Sequence, residues 1–344
     1  TDVSRYQTKM ISYNEIRDVH LEIASLCNAR CPWCPRNFWG YPYNGGYPET
    51  YLTLEQTKKI FSKKFLQQLK SIRVNGNFGD IVMNPEGQDI IKYFRDNNPK
   101  MNISINTNGG ARKEDFWKSL ASSSATVNFA IDGLEDTHSL YRQDTSWKTV
   151  IKNAKTFISN GGNAIWQFIE FDHNRHQIEE CKQLSIQLEF SKFKIVDEGR
   201  NTAPVFDKKG NLAHTLGSYS GETNFEKLLD SKKTDDILLE DIIPGRKPCA
   251  SVICETKKLK SIYISANGDV YPCCYTGFYP KTYGKGQYHQ AANSQLIPMI
   301  EKNNALVYTL EQCIEWFGKV EQSWILKDYE NGRLVICDDN CGTC

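Results

Sequence analysis

The stretch VHLEIASLCNARCPWC, residues 19–34, runs from a β-strand pattern straight into three cysteines. Val19–Ser25 reads as a strand, and Cys27, Cys31 and Cys34 follow it in the spacing C-x3-C-x2-C. On a helix those three positions would share a face, but Pro32 and Pro35 argue for a loop. The thiols therefore lie just past the C-terminal end of a first strand, the edge where parallel α/β folds gather their active sites. A structural zinc site closes with four Cys or His ligands, and no fourth follows in this loop at the usual local spacing. Three thiolates instead suit a [4Fe–4S] cube that leaves one iron without a protein ligand. Zinc, or unrelated structural thiols, are the alternatives to that reading.

Downstream of the loop, strand and helix signals alternate. Thr53–Leu69 carries a Thr cap and apolar residues at helical spacing, and predicts one helix. Ser71–Gly76 predicts a strand, and Glu86–Asp96 a helix after a Gly-punctuated turn. The pattern repeats as strand Met101–Asn106, helix Lys113–Leu120, strand Thr126–Ile131 and helix Trp147–Ser159. Strand Ala164–Phe171, helix His176–Leu188 and strand Phe193–Val196 complete the series. Such βα units predict an α/β fold with a parallel sheet covered by helices. Six units in this length fit a partial (β/α)6 TIM-like barrel, open rather than closed at eight strands. The barrel is expected over residues 1–200, followed by a linker or irregular stretch over 201–245 and a small C-terminal domain over 246–344. Within the stretch, Asn201–Asp241 is polar and has no sustained period. In the last part, Ser261–Cys274 alternates on both sides of Asn267-Gly268, a β-hairpin signal.

Composition narrows the function classes. The chain has 344 residues, a net charge of +1 and 40% hydrophobic residues, so no charge imbalance argues for nucleic acid or an anionic membrane as partner. No stretch approaches the roughly 20 apolar residues needed to cross a bilayer, and the first residues do not form a signal peptide. Twelve cysteines is a high count, and they are bunched rather than spread. Bunching favours metal ligation over a disulfide framework, in a reducing cytoplasm. Cys181 and Cys313 stand apart, in helix-like segments, and read as buried free thiols.

The first cysteine loop resembles the motif of the radical SAM superfamily, with Trp33 in the aromatic position of C-x3-C-x-aromatic-C. The resemblance implies that Cys27, Cys31 and Cys34 hold a [4Fe–4S] cluster whose open iron chelates the amino and carboxylate groups of S-adenosylmethionine. It further implies reductive cleavage of the sulfonium to a 5′-deoxyadenosyl radical. Three more segments follow the family's order. NGNFGDIVMNPE, residues 75–86, resembles the Gly-Gly-Glu-Pro segment that binds the methionyl amino group, with Gly79 and Asp80 on the Gly-Glu pair. Asp80 is shorter than the usual Glu. INTNGG, residues 105–110, matches the third-strand TNG and supplies Asn108. NFAIDGLEDTHSLYR, residues 128–142, resembles the fourth-strand segment and supplies Arg142 as partner of the methionyl carboxylate.

A second cysteine group resembles the twitch domain, the shortened relative of the SPASM domain that carries one auxiliary [4Fe–4S] cluster. Cys254, Gly268 and Cys273 give C-x13-G-x4-C, and Cys341-x2-Cys344 ends the sequence. The resemblance implies Cys254, Cys273, Cys341 and Cys344 as ligands, with Cys249, Cys274 and Cys337 as alternates, and a structural zinc as the competing occupant. Cys274 is also a candidate hydrogen-atom donor. Family members include small-molecule alcohol dehydrogenases and peptide-modifying maturases. The expectation is thus an oxidation or rearrangement of a small molecule, with the auxiliary cluster accepting an electron and a flavodoxin or ferredoxin supplying the first one. A peptide maturase or epimerase is the alternative, weakened by the 18 residues ahead of the first strand, too few for a leader-binding domain. A non-catalytic zinc or iron–sulfur protein is the rival from another class. The aromatic loop Phe38–Tyr51 is a candidate lid.

Overall fold

The structure is a computed structural model that describes residues 10–42, 47–196, 202–228, 239–278 and 287–344. Six parallel strands lie side by side in chain order: β1 (Asp18–Leu21), β2 (Ser71–Val74), β3 (Asn102–Thr107), β4 (Thr126–Ala130), β5 (Asn163–Ile169) and β6 (Lys192–Val196). Between them run α1 (Leu54–Ile60), α2 (Lys63–Gln68), α3 (Gly87–Asn97), α4 (Glu114–Ala121), α5 (His138–Tyr141), α6 (Trp147–Ser159) and α7 (Ile178–Gln187). This is the partial barrel expected from the alternation.

The period-2 pattern explains the packing. Ile72 and Val74, Ile103 and Ile105, Val127 and Phe129, and Trp166 and Phe168 point to one face and are all but completely buried. They meet Ile90, Phe94, Trp117, Leu120 and Phe157 of the covering helices in one continuous core. Each such side chain contributes about 1.5–3 kcal/mol on burial. At the lower end of the strands, Asp18 accepts hydrogen bonds from Ser71 Oγ and, at 2.8 Å, Ser261 Oγ. One carboxylate thereby joins three strands.

Two expectations are corrected and a third is extended. The predicted helix Thr53–Leu69 is two helices, because Ser62 starts a new one by accepting the Phe65 N–H at 3.2 Å. The stretch read as irregular contains an antiparallel hairpin, β7 (Ala203–Phe206) with β8 (Leu212–Leu216). Asp207 turns it, accepting the N–H groups of Lys209 and Asn211. Its alternation is hidden because all four residues of β7 are buried and one of them is Pro204. The C-terminal hairpin also forms, but it is no separate sheet. Its first strand, β9 (Ser261–Ile264), pairs in parallel with β1, and β10 (Val270–Tyr271) pairs antiparallel with β9. The central sheet therefore has eight strands, with β1 interior. Gly268 makes the turn at φ +86°, a conformation that favours glycine. Cys181 and Cys313 are fully buried free thiols, as expected. Of the proposed lid, residues 43–46 lie outside the described residues, while Tyr47 is buried and stacks on Phe78 at 4.9 Å.

Candidate metal and cofactor site

Strand β1 delivers Cys27, Cys31 and Cys34 to the upper end of the sheet on a loop. A turn closed by Cys34 N–H to Cys31 O at 2.9 Å fixes its second half. Cys31 is buried, and Cys27 and Cys34 are partly so. All three sit in a small apolar cluster with Tyr141, Ile169, Phe171 and hairpin residues Ala203, Val205 and Leu216. The hairpin that sequence patterning missed thus walls the cysteine loop. Burial pushes the Cys27 thiol up, with Asp80 and the other two thiols adding to it. A buried thiol so disposed ionises only when a cation is bound, as metal ligands do.

The other predicted residues converge on the loop. Asn108 Nδ2 reaches Cys27 Sγ at 3.4 Å and Asn28 Oδ1 at 3.0 Å. Arg142 donates from Nε to Asp132 at 2.6 Å and turns Nη1 toward Cys31 Sγ at 3.7 Å. Asp132 is itself completely buried and accepts the Ile169 N–H at 2.7 Å, so the guanidinium is held from behind. Gly79 has no room for a side chain, since a Cβ there would stand 1.9 Å from Ala24 O. Asp80 is engaged by groups of the protein itself. Its carboxylate accepts Thr107 Oγ1 and Asn108 N–H, both at 2.7 Å, and Val82 N–H at 3.1 Å. The shorter acid is turned inward and ties the second-strand loop to the TNG segment. Trp33 is 39% exposed and packs edge-to-face on Trp39 at 4.7 Å.

Two buried groups escaped the sequence reading. Glu22, 1% exposed, accepts the N–H groups of Phe78 and Gly79 at 2.8 and 2.9 Å and the Tyr263 hydroxyl at 2.7 Å. It links the Gly79 loop to the C-terminal hairpin, and burial raises its pKa. A charged residue in mid-strand beside the cysteines was its only signal. His138 accepts the Asp132 N–H at Nδ1 and faces Thr145 Oγ1 with Nε2 at 3.1 Å. Burial pushes its pKa down to about 3, so it is neutral.

The C-terminal thiols line one cavity of about 360 Å³, shared by Cys254, Cys273, Cys274, Cys337 and Cys341. Cys337 and Cys341 come one turn apart on α9 (Val335–Cys341, counting α8 as Glu255–Leu259). Cys254 precedes α8 and is drawn down to about 6 by a hydrogen bond from Cys341. Burial pushes Cys273 up to about 12, and Cys337 higher still. Cys344 is placed elsewhere. The ladder of Ser251–Val252 with Gly342–Thr343 carries it to Cys249, with which it forms a disulfide. Among the described residues, no three His, Cys, Asp or Glu side chains stand at single-ion spacing. The donor chemistry of both sites, thiols gathered on one loop or lining one cavity, suits iron–sulfur clusters. No helix among the described residues is long and apolar enough to cross a membrane.

A parallel partial barrel with a cysteine loop at the end of its first strand defines the class. Residues 21–175 match the family model described as the radical SAM superfamily. The barrel part of the chain is thus similar to the radical SAM superfamily. Curated relatives include GTP 3′,8-cyclases of Staphylococcus aureus, 24% identical over 201 residues, which are 56% of this chain and 58% of the relative. The match thus spans little more than half the length of those relatives. Among solved structures, Streptococcus suis SuiB bound to S-adenosylmethionine superposes with a TM-score of 0.55 at 14% identity, over 96% of this chain and 71% of SuiB. The anSMEcpe structure with bound AdoMet gives 0.53 at 17% identity, over 94% and 89%.

Proposed function

We propose that this enzyme reductively cleaves S-adenosylmethionine and abstracts hydrogen from a substrate held in the barrel, oxidising or rearranging a small molecule. A cluster held by Cys27, Cys31 and Cys34 would supply the electron that breaks the sulfonium bond, and an auxiliary [4Fe–4S] cluster would accept one afterwards. The observation that carries the reading is the placement of Asn108 and Arg142, which each turn a nitrogen toward a thiol of the loop. Those donors border the place where a cofactor's amino acid moiety would lie. Arg142 is held by Asp132 so that its fork can meet a carboxylate. Asp80 and Glu22 hold the Gly79 loop and the TNG segment, and so act as positioning residues. The apolar wall from the hairpin, Tyr141 and Phe171 keeps water from the loop.

For the auxiliary site we take Cys254, Cys273, Cys337 and Cys341, with Cys337 replacing Cys344 in the set implied by the resemblance. The shared cavity supports this set. A flavodoxin or ferredoxin as electron donor, and a cytoplasmic location, remain part of the proposal. Peptide modification is the second reading, favoured by the fold shared with SuiB, which was solved bound to its precursor peptide SuiA. Anaerobic reconstitution with iron counting tests the cofactor content. About eight irons per chain support two cubane clusters, whereas stoichiometric zinc without iron overturns the proposal.

A further inference from the structure

Each thiol proposed for the auxiliary site has a hydrogen-bonding neighbour. Cys254 Sγ lies 3.1 Å from Thr256 Oγ1, and Cys273 Sγ lies 3.6 Å from Thr276 Oγ1. The Glu255 N–H stabilises the thiolate form of Cys341. For Cys337 the neighbour is of another kind. Trp324, which ends the helix Phe317–Ser323, lines the thiol cavity together with Cys337. Its indole Nε1 is buried and has no acceptor within ordinary hydrogen-bonding reach among the described residues. The group it faces at longer range is the Cys337 thiol. Burial pushes the pKa of that thiol up and the Cys273 thiol adds to it, whereas the indole N–H opposes both by hydrogen-bonding the thiolate. A buried donor left unpaired is costly, so each one calls for an explanation.

The indole is also held in place. Arg333 and Asp338 form a buried pair, Nη2 to Oδ1, at 2.7 Å. The same guanidinium donates from Nη1 to Trp324 O and from Nη2, at 3.0 Å, to Cys249 O. Asp338 follows Cys337 on α9, so one buried guanidinium fixes the Trp324 backbone against the helix that carries the thiol. A hydroxyl can turn away or accept, but an indole N–H only donates. Trp324 also lines an outer cavity of about 530 Å³, beside Ile325 and Leu326. Its ring therefore stands between the thiols and the outside.

We infer that Trp324 sets the reduction potential of the auxiliary cluster by donating its indole N–H to the Cys337 sulfur. The inference rests on Cys254, Cys273, Cys337 and Cys341 being the ligands. A cubane held by four thiolates gains one negative charge when it takes up one electron. A donor aimed at a ligand sulfur favours that more negative state. Trp324 thus acts through Cys337, as a positioning residue, and makes the cluster a better electron acceptor.

The test reads the auxiliary cluster alone, in the full chain carrying Cys27→Ala, Cys31→Ala and Cys34→Ala, reconstituted anaerobically to about four irons per chain. Dithionite supplies the electron, and electron paramagnetic resonance of the reduced cluster follows the midpoint. In that background Trp324→Phe should keep the iron while losing the N–H. Its midpoint is expected to fall by about 59 mV, which is about a tenfold change in the constant for taking up one electron. Trp147→Phe, whose indole N–H goes to Gly133 O at 3.2 Å, should leave the midpoint unchanged. An unchanged or higher midpoint for Trp324→Phe at full iron content overturns the inference and leaves the ligand set standing. Loss of iron from Trp324→Phe overturns it too, by showing a structural role. If Cys337→Ser in the same background keeps all the iron, the ligand set fails and the inference falls with it.

Discussion

Single residues carry the link between the two thiol sites. Glu22 gathers three donors, two from the Gly79 loop and one from Tyr263 on β9. Replacing Tyr263 by Phe leaves one carboxylate oxygen without its partner in a dry place, at a cost of about 1–3 kcal/mol. Urea unfolding of Tyr263→Phe measures it, and an unchanged midpoint would show that the contact contributes nothing. Asp132 and Arg142 form a buried pair at 2.6 Å. Removing one partner, as in Asp132→Ala, should cost about 3–5 kcal/mol and weaken S-adenosylmethionine binding by releasing Arg142. His138 makes a pH prediction. Its folded pKa, about 3, lies below the ordinary 6.5, so the unfolded chain takes the proton first. Stability supplied by neutral His138 is complete above about pH 6.5 and is lost as pH falls toward 3. Compared with His138→Gln, the wild type should therefore lose stability more steeply over that window. Parallel pH curves for the two would refute the assignment.

Among the elements, the strands and most helices were legible because their hydrophobic periods are regular. The helix Trp147–Ser159 was found to the residue. The hairpin β7–β8 was not, since a fully buried two-stranded element containing proline shows no alternation. The thiol loop was legible from three cysteines and two prolines. For the fourth auxiliary thiol, helical spacing favours Cys337 over the terminal Cys344. Cys337 and Cys341 are four apart, which places them on one helix face. Thus Cys337→Ser should lose about half of the bound iron, one cluster of two, while Cys344→Ser should keep it. Iron analysis after reconstitution decides, and the reverse result would return Cys344 to the ligand set. Asp80 stood out through motif matching, whereas its hydrogen bonds to Thr107 and Asn108 had no local signal.

At the scale of the whole molecule, the C-terminal hairpin extends the barrel sheet instead of hanging from it. β9 pairs with β1, and β1 carries the cysteine loop. The strand order thus joins the strand before the cysteine loop and the C-terminal hairpin in one sheet. Pairing between distant parts of a sequence leaves no local signal, which is why the hairpin was read correctly and its docking was not. The central claim is that the three-thiol loop reductively cleaves S-adenosylmethionine. Its most direct measurement is 5′-deoxyadenosine formed by the anaerobically reconstituted enzyme with dithionite and S-adenosylmethionine. Product is expected with the wild type and none with Cys31→Ala. An iron-loaded wild type that forms no 5′-deoxyadenosine would contradict it.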